Sequence, residues 1–210
     1  MKRREFAFAL GATPLLAATA RAAAEPVEGQ DFKRLASPIA PTVPGGVEVI
    51  EFFGYWCPHC AAFEPTLDAW ARKLPADVHF RRVPVGWQAA QEPYQRLYFA
   101  IEALGGRMAV HAKAFKALHE QRMRLERDSD YAAFGTAIGV DGARLLAASN
   151  APAVAAQVNA ANQAVKAYRV DSVPSLAVQG RYMTSPQMAA GAERSLQVVD
   201  ALIAKVRATK

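Results

Sequence analysis

Cysteine is all but missing from this chain: there are two in 210 residues, Cys57 and Cys60. A structural zinc site needs four ligands, and the histidines outside this pair (His79, His111 and His119) are scattered. No metal is therefore expected. A purely structural disulfide from Cys57 to Cys60 would close a tiny loop and restrict the unfolded chain little. Long apolar runs are missing too. The stretch from Phe6 to Ala20 is too short for a spanning helix, and Gly11 and Pro14 interrupt it. Charge of one sign is weak: the formal net charge is +6, and half of it lies in residues 1–24, which hold four Lys/Arg and one acid. What is left is too small and too dispersed for a nucleic-acid surface, so no nucleic-acid partner is expected.

Residues 1–24 read as a secretory signal. Lys2-Arg3-Arg4 form a basic start, the apolar stretch follows, and Ala22-Ala23-Ala24 is a small-residue cleavage site. Cleavage is expected after Ala24, with Ala22 as the alternative. Arg3-Arg4-Glu5-Phe6 also fits a twin-arginine pattern, which would mean export after folding. Export leads to the periplasm, where disulfide chemistry persists as it does not in cytosol.

The remaining chain is organised around VEVIEFFGYWCPHC, residues 47–60. Val47–Phe53 is a near-continuous β-branched and aromatic run, the pattern of a central parallel strand covered on both faces. Glu51 interrupts it and is expected to be a buried carboxylate. After Cys60 the apolar residues recur at helical spacing, so the motif lies where a strand hands over to a helix. Cys57 falls at the N-cap, and Pro58 at the first helical position that proline favours. A sulfur there faces unpaired backbone N–H groups and the positive end of the helix dipole, and protonated His59 adds a nearby charge. These effects favour a thiolate on Cys57, the form that attacks. Cys60, one turn in, is expected to turn inward while Cys57 stays exposed. Strand, motif and helix together point to redox catalysis by the pair.

The flanking chain predicts an α/β fold. An edge strand is expected near Asp31–Leu35, and the helix from Pro58 should kink at Pro65 and end near Leu74-Pro75. A parallel strand follows at Val78–Val85. From Gln91 to about Tyr168 the pattern is helical throughout. One stripe is Tyr94, Leu97, Tyr98, Ile101 and Leu104; further helices are expected at Met108–Met123, from Ser129 or Asp130 to Gly139, from Asp141, and from Pro152. Val173-Pro174 precedes a strand at Ser175–Gln179, which Gly180 turns into Arg181–Thr184 at the sheet edge. Ser185-Pro186 reads as a cap and first turn, leading into an amphipathic helix through Leu196, Val199, Leu202, Ile203 and Val206.

EFFGYWCPHCAAFEP resembles the active-site segment of the DsbA family, bacterial thiol–disulfide oxidants with a thioredoxin fold. The likeness continues through KLPADVHF and VDSVPSLAVQGRY and so spans nearly the whole chain after residue 24. It implies a thioredoxin-like α/β domain in two pieces, 25–90 and 169–210, with a helical domain, 91–168, inserted between strands of the central sheet. It implies that Cys57 and Cys60 are the redox pair, with Pro58 and His59 the DsbA-type residues between them. Pro174 would be the cis-proline facing the pair. Val173 would offer its backbone to an extended substrate as an added strand, and Tyr55, Trp56 and Val173 would line an apolar groove for it. Glu51 matches a buried acid that assists proton traffic at the buried cysteine.

The family partners that acid with a lysine, and the matching position here is Arg82. Arginine stays charged at any working pH, so Glu51 is expected to be held ionised. A purely structural ion pair remains an alternative, and a strand shifted by one residue would substitute Arg81. No cofactor is implied beyond the Cys57–Cys60 disulfide. The implied partners are reduced or unfolded secreted proteins and a DsbB-like, quinone-linked oxidase of the inner membrane. An isomerase or reductase is the alternative within redox chemistry. Isomerases of this superfamily usually dimerise through an added domain, absent here, so a monomer is expected. A chaperone-like peptide binder with an incidental CxxC is the alternative outside it.

Overall fold

The computed structural model describes residues 25–106 and 108–209; the expected signal, 1–24, lies outside them. In chain order the elements are β1 (Lys33–Arg34), β2 (Val47–Phe53), α1 (Pro58–Ala71), β3 (Val78–Pro84), α2 (Glu92–Ala103), α3 (Met108–His119), α4 (Asp130–Ile138), α5 (Gly142–Ser149), α6 (Pro152–Tyr168), β4 (Ser175–Val178), β5 (Tyr182–Thr184) and α7 (Ala192–Ala208). Among the described residues, five α-helices thus stand between β3 and β4 in the chain.

All seven residues of β2 are buried. The strand lies parallel to β3 on one side and antiparallel to β4 on the other, in a sheet ordered β1-β5-β4-β2-β3. Expected to be parallel throughout, β2 is so on one side only, because β4 enters from the helical insert at the opposite end. Successive side chains of a strand alternate between faces. Val47 and Val49 pack with Phe63 and Leu67 of α1 and with Leu196, Val199, Leu202 and Ile203 of α7. Ile50 and Phe52 pack the other way, against Ala161, Val165 and Tyr168 of α6. Each fully buried Leu, Ile or Phe contributes about 1.5–3 kcal/mol, so both layers hold the sheet firmly. Glu51 shares the face of Val49 and therefore looks toward α1.

A third cluster joins the insert to the site. Leu97 and Ile101 of α2, Phe115 of α3 and Phe134 of α4 surround Phe53, Tyr55, Cys57 and Cys60. The remaining members of the α2 stripe, Tyr94, Tyr98 and Leu104, pack against this cluster while half-buried. Gly139 closes α4 at φ 80°, and the Asp141 carboxylate caps α5 by accepting the Arg144 N–H at 2.8 Å.

Several expected boundaries shift. β5 lies inside the sheet, since β1 pairs outside it. Both α1 and α3 stop earlier, at Ala71 and His119; Arg122, at φ 55°, marks the turn after α3. Ser185 caps a separate turn, its hydroxyl accepting the Met188 N–H at 3.0 Å. α7 begins only at Ala192, because Ala190 and Gly191 take positive φ and break the helical path.

Candidate active site

The site begins in the turn between β2 and α1. Cys57 is extended (φ −92°, ψ 117°), as an N-cap residue should be, and its N–H donates to the Gly54 carbonyl at 3.0 Å. Gly54 is required for space: a Cβ there would meet the Trp56 indole at 2.6 Å. That indole donates to the Val85 carbonyl at 3.0 Å and packs edge-on against Trp87, a largely exposed ring. The turn is also held from α3. The Tyr55 hydroxyl lies 2.7 Å from His111 Nδ1, and the Tyr55 carbonyl 2.7 Å from His119 Nε2.

Both cysteines are free thiols, Cys60 wholly buried and Cys57 only 4 % exposed. The expected exposure of Cys57 is therefore not found: Val173, whose carbonyl lies 3.5 Å from the sulfur, shields it together with the turn. The two thiols differ sharply as acids. Cys57 is lowered to about 6, chiefly because the Cys60 thiol donates to it. Burial opposes this, and the N–H groups of Cys60 and His59 and the His59 charge add to it in falling order. The helix N-terminus and His59 act in the expected direction, but Cys60 outweighs both. Cys60 is pushed far up by burial, by its bond to Cys57 and by the charges of Cys57 and Glu51.

The Val173–Pro174 peptide bond is cis. Val173 and Pro174 line an open depression of about 500 Å³ with His59, Ala62, Phe63 and Pro186. Two of the expected groove residues fall elsewhere. Tyr55 is 1 % exposed, its ring turned into the insert toward His111, so it cannot wall a substrate groove. Trp56 stands with Trp87, outside that depression.

Beneath the pair is a buried charge cluster. Glu51 and Arg82 are direct neighbours across the β2–β3 ladder, and Arg82 Nε donates to Glu51 Oε2 at 2.9 Å. A second nitrogen of the same guanidinium donates to Glu64 Oε1 of α1, also at 2.9 Å. Arg81 instead bonds Glu48 at 3.0 Å on the other face of the sheet, which settles the alternative in favour of Arg82. One cation for two buried carboxyls leaves a charge deficit. Burial accordingly pushes Glu51 up to about 8 and Glu64 up to about 7, against the pull of Arg82. Arg82 pulls Glu51 toward the ionised form, as expected, but burial acts the other way and is the larger effect, so Glu51 lies well above the usual carboxylate range.

Glu64, His111 and Trp87 were not singled out from the sequence. Glu64 had a signal, since it lies four residues after Cys60 and so on the same helix face. His111 had none; it reaches Glu64 at 3.3 Å only through the packing of α3 on α1.

The family model described as thioredoxin matches residues 45–197. The thiol:disulfide interchange protein DsbA of Bordetella parapertussis is 39% identical, across 99% of this chain and 100% of its own length. The DsbA of Pseudomonas aeruginosa is 37% identical across 86% of this chain and 85% of its own. A crystal structure of Pseudomonas aeruginosa DsbA superposes with a TM-score of 0.82 at 37% identity, covering 86% of this chain and 94% of that one. Reduced DsbA1 of Neisseria meningitidis superposes with a TM-score of 0.78 at 31% identity, covering 89% and 98%.

Proposed function

This chain belongs to the DsbA family of protein disulfide oxidoreductases, with their thioredoxin-like α/β fold and helical insertion, and we propose that it works as a periplasmic oxidant that donates its Cys57–Cys60 disulfide to newly exported proteins. The observation that carries this reading is the placement of the two thiols: Cys57 at the N-cap of α1, 3.5 Å from the Val173 carbonyl that precedes the cis Pro174, and Cys60 wholly buried one turn in, which lowers the first thiol and pushes the second far up. A thiol that is a stable anion is a good leaving group, and its stabilisation favours the reduced protein; both make the pair an oxidant.

The reaction runs in two exchanges. A substrate thiolate attacks Cys57 Sγ; the Cys57–Cys60 bond breaks and its electron pair goes to Cys60 Sγ. Cys60 is a poor anion and takes a proton, for which the neutral Glu51 carboxyl is the donor at hand. A second substrate thiolate then attacks the substrate sulfur of the mixed disulfide. The substrate leaves with a disulfide, oxidised by two electrons, and Cys57 leaves as a thiolate. Pro58 starts the helix whose N–H groups hold that anion, and His59 adds charge. Arg82 keeps Glu51 in place, while Val173 and Pro174 present backbone to the incoming peptide.

Residues 25–90 and 169–210 carry the chemistry, and the insert 91–168 buttresses it. No cofactor is assigned beyond the disulfide itself. A DsbB-like, quinone-linked oxidase of the inner membrane would restore the disulfide, the cleaved leader 1–24 would bring the chain to the periplasm, and a monomer suffices for each step. Equilibration with a glutathione redox buffer tests the oxidant reading. The pair should stay reduced until the buffer is strongly oxidising; a pair that is oxidised already in a cytosol-like buffer would mark a reductase instead.

A further inference from the structure

The depression beside the cis peptide has a neighbour on the other face of the sheet. Lys33 lies opposite Met183, and Met183 opposite Ala177, so these side chains share one face with Ser175, two residues before Ala177. That face packs on α6, whereas Phe63 of the depression belongs to the face covered by α1 and α7. Where Lys33 is exposed lies a hollow of about 290 Å³, with buried Met183 as its floor and Lys33, Asp171 and Met188 around it. Ser172, Ser185 and Gln187 line both the hollow and the depression, so the two meet over the ends of β4 and β5.

The hydroxyls of the hollow are engaged by the protein itself. Ser172 donates to the Asp171 carboxylate at 3.1 Å, Ser175 to the Ser172 carbonyl at 2.8 Å and Thr184 to the Asp31 carbonyl at 2.7 Å. Ser185 accepts the Met188 N–H. What remains for a guest is the Lys33 ammonium, the second Asp171 oxygen and the Gln187 amide. Among the described residues, neither Lys33 nor Asp171 takes part in an ion pair. An ionised guest would meet one partner and one repelling charge here. A neutral group that both accepts and donates satisfies both, and a carboxamide is such a group.

We propose that this hollow is a second subsite of the peptide groove, selecting an asparagine or glutamine side chain of the protein being oxidised. The proposal rests on the oxidant reading given above and names the substrate class that reading leaves open. An extended peptide paired with the Val173 backbone sets an apolar residue in the depression. Carried on past Ser172 and Gln187, it brings a later residue to the hollow. There the carboxamide oxygen accepts from Lys33 and the carboxamide nitrogen donates to Asp171. The methylenes of the guest lie on Met183 and Met188, whose flexible thioethers adapt to guests of either length.

The test is reduction of the oxidised protein by short cysteine peptides that carry one leucine and one variable residue, Gln, Leu, Glu or Lys. The variable residue is placed roughly two to five residues from the cysteine on either side, the span an extended chain needs to cross the ridge. Each rate is divided by that of the same peptide with glutathione disulfide, which removes the effect of the variable residue on the peptide thiol. At one placement Gln should lead the other three by about threefold to tenfold, the order of one hydrogen bond. Asp171→Asn leaves Lys33 unopposed and should bring the Glu peptide level with Gln or ahead of it. Lys33→Met leaves Asp171 unopposed and should do the same for the Lys peptide. Arg181→Glu, an exposed charge outside both depressions, should leave the order as it is. No placement at which Gln leads, or a Gln lead that survives both hollow variants, would overturn the subsite. A reordering by Arg181→Glu as large as theirs would overturn it too.

Failure of the wild type to oxidise any peptide would undo the functional reading alone. Peptides with serine in place of cysteine then decide on the subsite, read by the methyl ¹³C signals of Met183 and Met188. Signals that move with the Gln peptide and stay with the Leu peptide support the subsite. Signals that stay with both contradict it.

Discussion

A thiol ionises at neutral pH only where something holds the anion better than water does. At Cys57 the largest such contribution is the Cys60 thiol, ahead of the backbone N–H groups and the His59 charge. Alkylation of the reduced protein should therefore follow a pH midpoint near 6, with Cys57 labelled before Cys60. Cys60→Ala should raise that midpoint more than His59→Ala does, and the reverse order would refute this ranking. Glu51→Gln keeps a hydrogen-bonding group for Arg82 but has no proton to give. Its fold should persist while reduction of the disulfide slows and loses the pH limb near 8; an unchanged profile would remove Glu51 from the chemistry. Arg82→Met strands two carboxyls and should cost about 3–5 kcal/mol in denaturant unfolding. Glu51 and Arg82 were legible because each belongs to a strand with a clear period, and the strands run in register. That burial raises Glu51 against the pull of Arg82 was not legible, because it depends on how completely the sheet and α1 close over the carboxyl, with Glu64 of α1 adding to it.

The element that makes the site is the β2–turn–α1 unit, and its turn is held from both sides. Gly54 makes room for the Trp56 indole, which ties the turn to β3 through the Val85 carbonyl. Gly54→Ala should expel the indole, shift tryptophan emission to the red and lower the melting temperature. A folded Ala variant with wild-type emission would show that the 2.6 Å approach is easily relieved. From the other side, His111 and His119 of α3 grip Tyr55 at its hydroxyl and its carbonyl. The span of β2 and the helical character of the insert follow from apolar period alone. The grip on Tyr55 does not, because it joins residues 56 and 64 positions apart through packing. For the same reason Tyr55, read as a groove wall from its place beside the motif, is a buried anchor. The late start of α7 is of another kind: Ser185-Pro186 has the chemistry of a cap, but the chain needs one more turn before α7 can lie on β4 and β5.

At the scale of the molecule, redox state and stability belong to one cycle. A disulfide stabilises a fold by restricting the unfolded chain, and so short a loop restricts it little. Against this, the reduced protein holds a Cys57 thiolate that the unfolded chain cannot stabilise. Cys57 is depressed in the folded state, so its contribution is full above the ordinary cysteine value and is lost as pH falls toward about 6. The central claim, that this pair is an oxidant, therefore has a direct thermodynamic reading. The deciding measurement is the melting temperature of the reduced and oxidised protein at neutral pH and again in acid, with both cysteines intact. The reduced form should melt higher at neutral pH, and its lead should shrink as the pH is lowered through 6. An oxidised form that melts higher at neutral pH would contradict the account.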